Sequence, residues 1–144
     1  MAPTLNKVNN DALKPYMAGQ ISNTVAYERG IMPVRQFMLR QTRKKDLALF
    51  IHLAKLSKPK SVKDVPTYVI IPAFIISELK TAFEIGFMLF IPFLVIDMIV
   101  ASVLMAMGMM MIPPMIFSMP FKILLFVLVD GWYLLMRGIV MSFH

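Results

Sequence analysis

From Ile85 the chain reads as two long apolar stretches. Ile85 to Met107 has Asp97 as its one charged residue, and Met115 to Met136 carries Lys122 and Asp130. Each is about as long as the roughly 20 residues a helix needs to cross a hydrocarbon layer. Between them lies Gly108-Met109-Met110-Met111-Ile112-Pro113-Pro114, a connection so short that the two stretches must form an antiparallel hairpin with its turn at 108–114. Gly108 suits the left-handed end of a helix, and Pro113-Pro114 stops the first helix and starts the second. Upstream the pattern is more polar. Met1 to Asn23, cut by Pro3 and Pro15, reads as irregular chain or short helices. From Thr24 to about Leu56, Phe37, Leu47, Phe50, Ile51 and Ala54 recur near helical spacing, with Pro33 starting or kinking a helix and a boundary near Thr42. Ser57 to Thr67 is a linker by its Pro, Ser and Lys content. Tyr68 to Ser77, an apolar run containing Pro72, is too brief to span alone.

The fold class expected is all-α: a membrane-complex protein with a basic, largely helical extramembrane segment at 1–66 and a hydrophobic helical hairpin at 68–144. Composition agrees, since 58% of the 144 residues are hydrophobic and they come in runs. Gly86, Pro92, Gly131 and Gly138 are positions where the helices bend or thin. Small residues Ala101, Ser102, Ala106 and Gly108 suit close helix approach. No basic region followed by an apolar core opens the chain, so no cleavable signal peptide is expected in it.

Charge divides unevenly. Residues 1–66 hold twelve Lys/Arg against four Asp/Glu, and residues 67–144 hold three against four. The run Arg40, Arg43, Lys44, Lys45 is a solvated helix face, or else a contact for lipid phosphate or for an acidic partner. Nucleic acid is not expected, because no reader motif accompanies the charge. There is no cysteine, which removes thiol chemistry and cysteine metal sites, and His52 and His144 stand without carboxylates in ligand spacing. No nucleophile elbow, phosphate loop or metal-binding helix is present, so neither catalytic residues nor a cofactor are expected.

Charges within apolar helices need partners. Helices of equal rise about a turn centred near Met110 set Asp97 level with Lys122 and Glu84 level with Arg137. Each is an intrahairpin pair, or each charge meets a neighbouring subunit or a wet cavity instead. Asp130 and Glu78 have no basic mate at their level and are candidates for contacts between chains. Met109, Met110 and Met111 are either apolar filler of the turn or an adaptable plug, since unbranched thioether side chains repack around irregular shapes.

Four blocks, Ser77–Phe87, Pro92–Asp97, Leu104–Pro114 and Pro120–Trp132, resemble the FliP family of flagellar export-gate proteins and, more distantly, its virulence-secretion relatives. Phe37-Met38-Leu39 and Asp46–Phe50 extend the likeness over nearly the whole chain. The resemblance implies a subunit of the flagellar type III export gate in the bacterial inner membrane, at the flagellar basal body. Several copies would assemble there with FliQ and FliR around a path for unfolded flagellar subunits, packed partly against membrane lipid and partly outside it. It implies that Met109 to Met111 form the gasket of the pore, which favours the plug. It also matches Glu78 and Lys122 to positions that hold the gate together, a pairing that competes with Asp97 for Lys122. The chain resembles the C-terminal portion of that family, without its signal peptide and first apolar hairpin. The family places the basic domain on the periplasmic side, where the positive-inside tendency alone would keep it cytoplasmic. Two other readings stand beside the gate: a small ion-coupled transporter using Asp97, Asp130 or Lys122, and a truncated fragment of the gate protein without function.

Overall fold

A computed structural model describes residues 1–57, 59 and 61–143. Lys58 and Lys60 of the expected linker, and His144, lie outside the described residues. The regular structure among those residues is helical. It divides into two compact units, residues 1–79 and 80–143, and the division falls inside one helix.

The first unit opens with α1 (Ala2–Val8), a π-helical turn (Asn9–Leu13) and the single turn α2 (Lys14–Met17). Then come α3 (Asn23–Gln41) and α4 (Lys44–Leu53). Pro33 lies inside α3 and does not divide it. The boundary between α3 and α4 has a local cause. Thr42 leaves the helical region at φ −78°, ψ 128°, and its hydroxyl donates to the Met38 carbonyl at 2.7 Å, occupying an acceptor of the last helical turn. Beyond α4, Ser61 and Asp64 bracket a 3-10 turn (Val62–Asp64) by a reciprocal capping box.

Helix α5 runs from Thr67 to Ala106, 40 residues, or about 60 Å at ~1.5 Å per residue. The apolar run at 68–77, too brief to span alone, forms the first part of this longer helix, and Pro72 and Pro92 both sit within α5. An interior proline forfeits one backbone hydrogen bond and crowds the preceding turn. Packing on either side of Pro72 outweighs that cost, because Val69, Ile70 and Ala73 are buried. Val69 and Ile70 join Phe37, Met38 and Val65 in the core of the unit, with Phe74, Leu47, Phe50 and Ile51 packed against it. Phe37 and Phe74 meet edge to face at 6.1 Å. The first turns of α5 thus belong with the basic N-terminal helices, which is why the units divide after residue 79 and not at the linker.

Two polar clasps fasten this unit. The Arg35 guanidinium donates to the Thr67 hydroxyl at 3.1 Å and to the carbonyls of Lys63 and Val65, closing the approach to α5. Ser77, 1% exposed, donates to Asp46 Oδ2 at 2.7 Å and accepts from the Arg43 backbone N–H at 3.0 Å. The start of α4 is thereby tied to α5.

The second unit holds the remainder of α5, then α6 (Pro114–Leu128) and α7 (Gly131–Ser142). The expected single second arm is two helices bent by 63°. Asp130 adopts the left-handed conformation, φ 50°, ψ 57°, which breaks the helix. Among the described residues α5 alone is long and apolar enough to cross a membrane, and α6 with α7 pass the same test taken together.

Candidate functional site: the methionine turn and the charged cluster on its hairpin

The turn is built by backbone logic that the sequence carries. Gly108 sits at φ +77°, where a Cβ would be strained. Its N–H bonds the Met105 carbonyl, and the Met109 N–H bonds the Leu104 carbonyl, both at 3.0 Å. This is a Schellman ending, whose usual companion is an apolar contact between the second residue past the cap and the residue five before it. Here those are Met109 and Leu104, which line the same apolar groove. At the far side Pro113 is extended, at φ −60° and ψ 124°, and Pro114 opens α6, a first-turn position where its missing N–H costs nothing.

This geometry gives the three methionines different roles. Met109 folds back and is 39% exposed, whereas Met110 and Met111 project at 79% and 98%. Behind Met109 is an open groove of about 500 Å³, lined by Ile99, Val103, Leu104, Phe117 and Phe121 among others. No polar side chain lines it.

Farther along the hairpin lies a cluster of three polar side chains. Lys122 Nζ is 2.7 Å from Asp97 Oδ2, and the Ser118 hydroxyl donates to Asp97 Oδ1 at 2.5 Å. Ser118 Oγ is also 3.2 Å from the Met115 carbonyl, but its single proton is best used on the nearer, charged acceptor. Ser118 and Lys122 are one turn apart on α6, so they present to one side of that helix, and both carboxylate oxygens of Asp97 are engaged. Ser118 is fully buried. Sequence reading missed it. The available signal was its spacing of four from Lys122, which puts a hydroxyl on the face of the helix that carries the lysine.

The other charged candidates fall elsewhere. Glu78 is half-buried in the first unit, next to Ser77. Glu84 is exposed on the second unit's part of α5. Arg137, on α7, is exposed, and its Nε reaches the Met141 sulfur at 3.5 Å. Asp130 is exposed at the α6–α7 break and makes no side-chain cap there. Below the cluster, Phe93 faces Phe126 at 6.3 Å and Phe126 meets Trp132 edge-on at 5.3 Å. Gly131 is buried under that ring: a Cβ on it would lie 2.3 Å from Phe126 Cδ2. No group of three His, Cys, Asp or Glu able to hold a metal occurs among the described residues.

Comparison with known proteins gives a consistent answer. The FliP family model matches residues 1–139. The flagellar biosynthetic protein FliP of Bacillus subtilis is 60% identical over 143 residues, covering 99% of this chain and 65% of the relative. The protein of the same name from Pectobacterium carotovorum is 58% identical, covering 100% and 56%. That from Aquifex aeolicus is 48% identical, covering 100% and 61%. The chain therefore spans less than two thirds of the length of these relatives.

Proposed function

We propose that this chain, which belongs to the FliP family, is a subunit of the flagellar protein-export gate in the bacterial inner membrane. It acts by shape and position and not by catalysis. In this reading the hairpin of the second unit lines part of the path taken by unfolded flagellar subunits. The methionine turn closes that path at rest, and FliQ, FliR and further copies of the chain complete the wall.

The observation that carries the seal is the contrast within the turn: Met109, 39% exposed, lines the apolar groove with Leu104, while Met110 and Met111 are 79% and 98% exposed. Two unbranched thioether side chains on a backbone fixed by a Schellman ending and a proline pair combine a rigid base with an adaptable tip. Such a tip conforms to a moving polypeptide and closes behind it. The Asp97–Lys122–Ser118 cluster suits a strut more than a proton relay, because both carboxylate oxygens already have partners. Glu78 and Asp130 are side chains through which subunits meet.

The test is co-purification of tagged chain with FliQ and FliR from membranes, read by native mass. It is followed by replacement of Met109, Met110 and Met111 with alanine in the assembled complex. A multi-copy complex that forms with the replaced turn but leaks small solutes supports the seal. A complex that stays tight, or a chain recovered only as monomer or aggregate, removes it.

A further inference from the structure

Helix α6 carries Pro120 in its interior. A proline has no N–H to give the carbonyl four residues back, here that of Ile116, and its ring presses on the turn before it. The helix is therefore weakest between Ile116 and Pro120. That leaves a short piece, 114–119, about 9 Å long at ~1.5 Å per residue, on the near side of the break. The short piece joins the methionine turn directly, through Pro113.

The polar cluster straddles this break. Ser118 lies two residues before Pro120 and Lys122 two residues after it. Each holds a different oxygen of one carboxylate, Ser118 at 2.5 Å from Asp97 Oδ1 and Lys122 at 2.7 Å from Asp97 Oδ2. Two residues are more than half a helical turn, so Pro120 falls on the side of α6 opposite to both. Exposure agrees: Pro120 and Ile116 are exposed, whereas Ser118 is fully buried. A ring that pushes the preceding turn away opens its own side of the helix and bends the axis toward the other. The other side is the one that Asp97 holds.

Ser118 has a second acceptor within reach. Its Oγ is 3.2 Å from the Met115 carbonyl of its own helix, a bond of the kind helical serines make to the preceding turn. With its proton on Asp97, the short piece is fastened to α5. With its proton on Met115, that fastening is gone.

We propose that Ser118 is a positioning residue for the methionine turn and acts through Asp97: one carboxylate clamps α6 across Pro120, and release of Ser118 frees the short piece to pivot. Lys122 anchors the clamp beyond the break, and Ser118 is the limb that opens. Loss of a hydrogen bond to an ionised acceptor shifts a two-state ratio by about tenfold or more. The clamp does not depend on the turn closing a path.

The chain has no cysteine, so nitroxide labels can be placed through Ile116→Cys and Val127→Cys, at positions 66% and 67% exposed. Eleven residues set them roughly 17 Å apart along the axis, on the face that carries Pro120. Double electron–electron resonance on the full chain in mild detergent then reads the bend of α6. With Ser118 present, one narrow distance is expected. In Ser118→Ala a second distance should appear, and the ratio of clamped to released chains should fall about tenfold or more. Pro120→Ala restores the N–H for Ile116 and removes the ring, so in that background the distance should stay narrow with serine or alanine at 118. One narrow distance in Ser118→Ala with Pro120 in place overturns the proposal. Equal broadening with and without Pro120 also overturns it, because Ser118 would then act by packing alone. If Ser118→Ala is not recovered folded, Lys122→Gln, which cuts the other limb, decides by the same comparison of the two backgrounds.

Discussion

Gly131→Ala probes why the second arm of the hairpin breaks where it does. The added Cβ would stand 2.3 Å from both Cδ2 and Cε2 of Phe126 and 2.8 Å from its Cγ. Carbon atoms in favourable contact lie about 3.5 Å apart or more, so the ring must retreat by about 1.2 Å. It has little room, with Phe93 at 6.3 Å and Trp132 edge-on at 5.3 Å. Overpacking of this kind costs about 1–3 kcal/mol. Alanine returns at most about 1 kcal/mol through helix propensity, so the net loss lies between about 0 and 3 kcal/mol. The chain has a single tryptophan, and Trp132 packs on the ring that must move. Denaturant unfolding in detergent, followed by tryptophan emission, therefore reads both the stability and the local displacement. The control is a double-mutant cycle with Phe126→Ala, which removes the obstructing ring. In that background Gly131→Ala should be neutral or slightly stabilising. An equal loss in both backgrounds, or an unchanged emission spectrum in the single variant, would refute steric closure by Phe126 as the reason for glycine.

Ser77→Ala removes a hydroxyl bonded to a carboxylate and to a backbone N–H; the expected cost is about 1.5–3 kcal/mol, with faster hydrogen exchange at the Arg43 amide as the local sign. Lys122→Met leaves the Asp97 carboxylate on the hairpin with Ser118 alone. It should therefore lower the unfolding midpoint more than the double change Asp97→Leu/Lys122→Met does, and the reverse order would show that the pair does not act as one unit. Met111→Gln, at an almost fully exposed position, should change stability by no more than about 0.5 kcal/mol. Met38→Ala, in the core of the first unit, should cost about 2–5 kcal/mol in the same denaturation assay.

Much of the site is legible in the sequence because its determinants are close along the chain. A glycine followed by an apolar residue at the end of a helix, then two prolines a few residues on, specify a tight turn through backbone sterics alone. The observed ion pair of Asp97 and Lys122 is one of the two that equal helical rise sets at one level. Rise alone says nothing of rotation about each helix axis. That is why Ser118, which completes the cluster, was not visible, and why the division of labour among Met109, Met110 and Met111 needed the groove behind Leu104.

By itself the sequence determined an all-helical chain, a basic half followed by an apolar half, the hairpin and its methionine turn, and a resemblance to one family dense enough to name. These follow from hydrophobic runs, charge counts and the conformational limits of glycine and proline, which act over a few residues. The tertiary structure alone decided that α5 continues through Pro72 and Pro92 and that the units divide within it, and it set the 63° angle of a bend whose place at Gly131 was legible. In each case the outcome rests on what a residue meets from elsewhere in the chain. Val69 and Ile70 gain a core from α3 that carries the helix past a proline, and the Phe126 ring leaves Gly131 no space for a side chain. The contacts of Val69 and Ile70 with Phe37 and Met38 join residues far apart in sequence, and the folded chain alone brings them together.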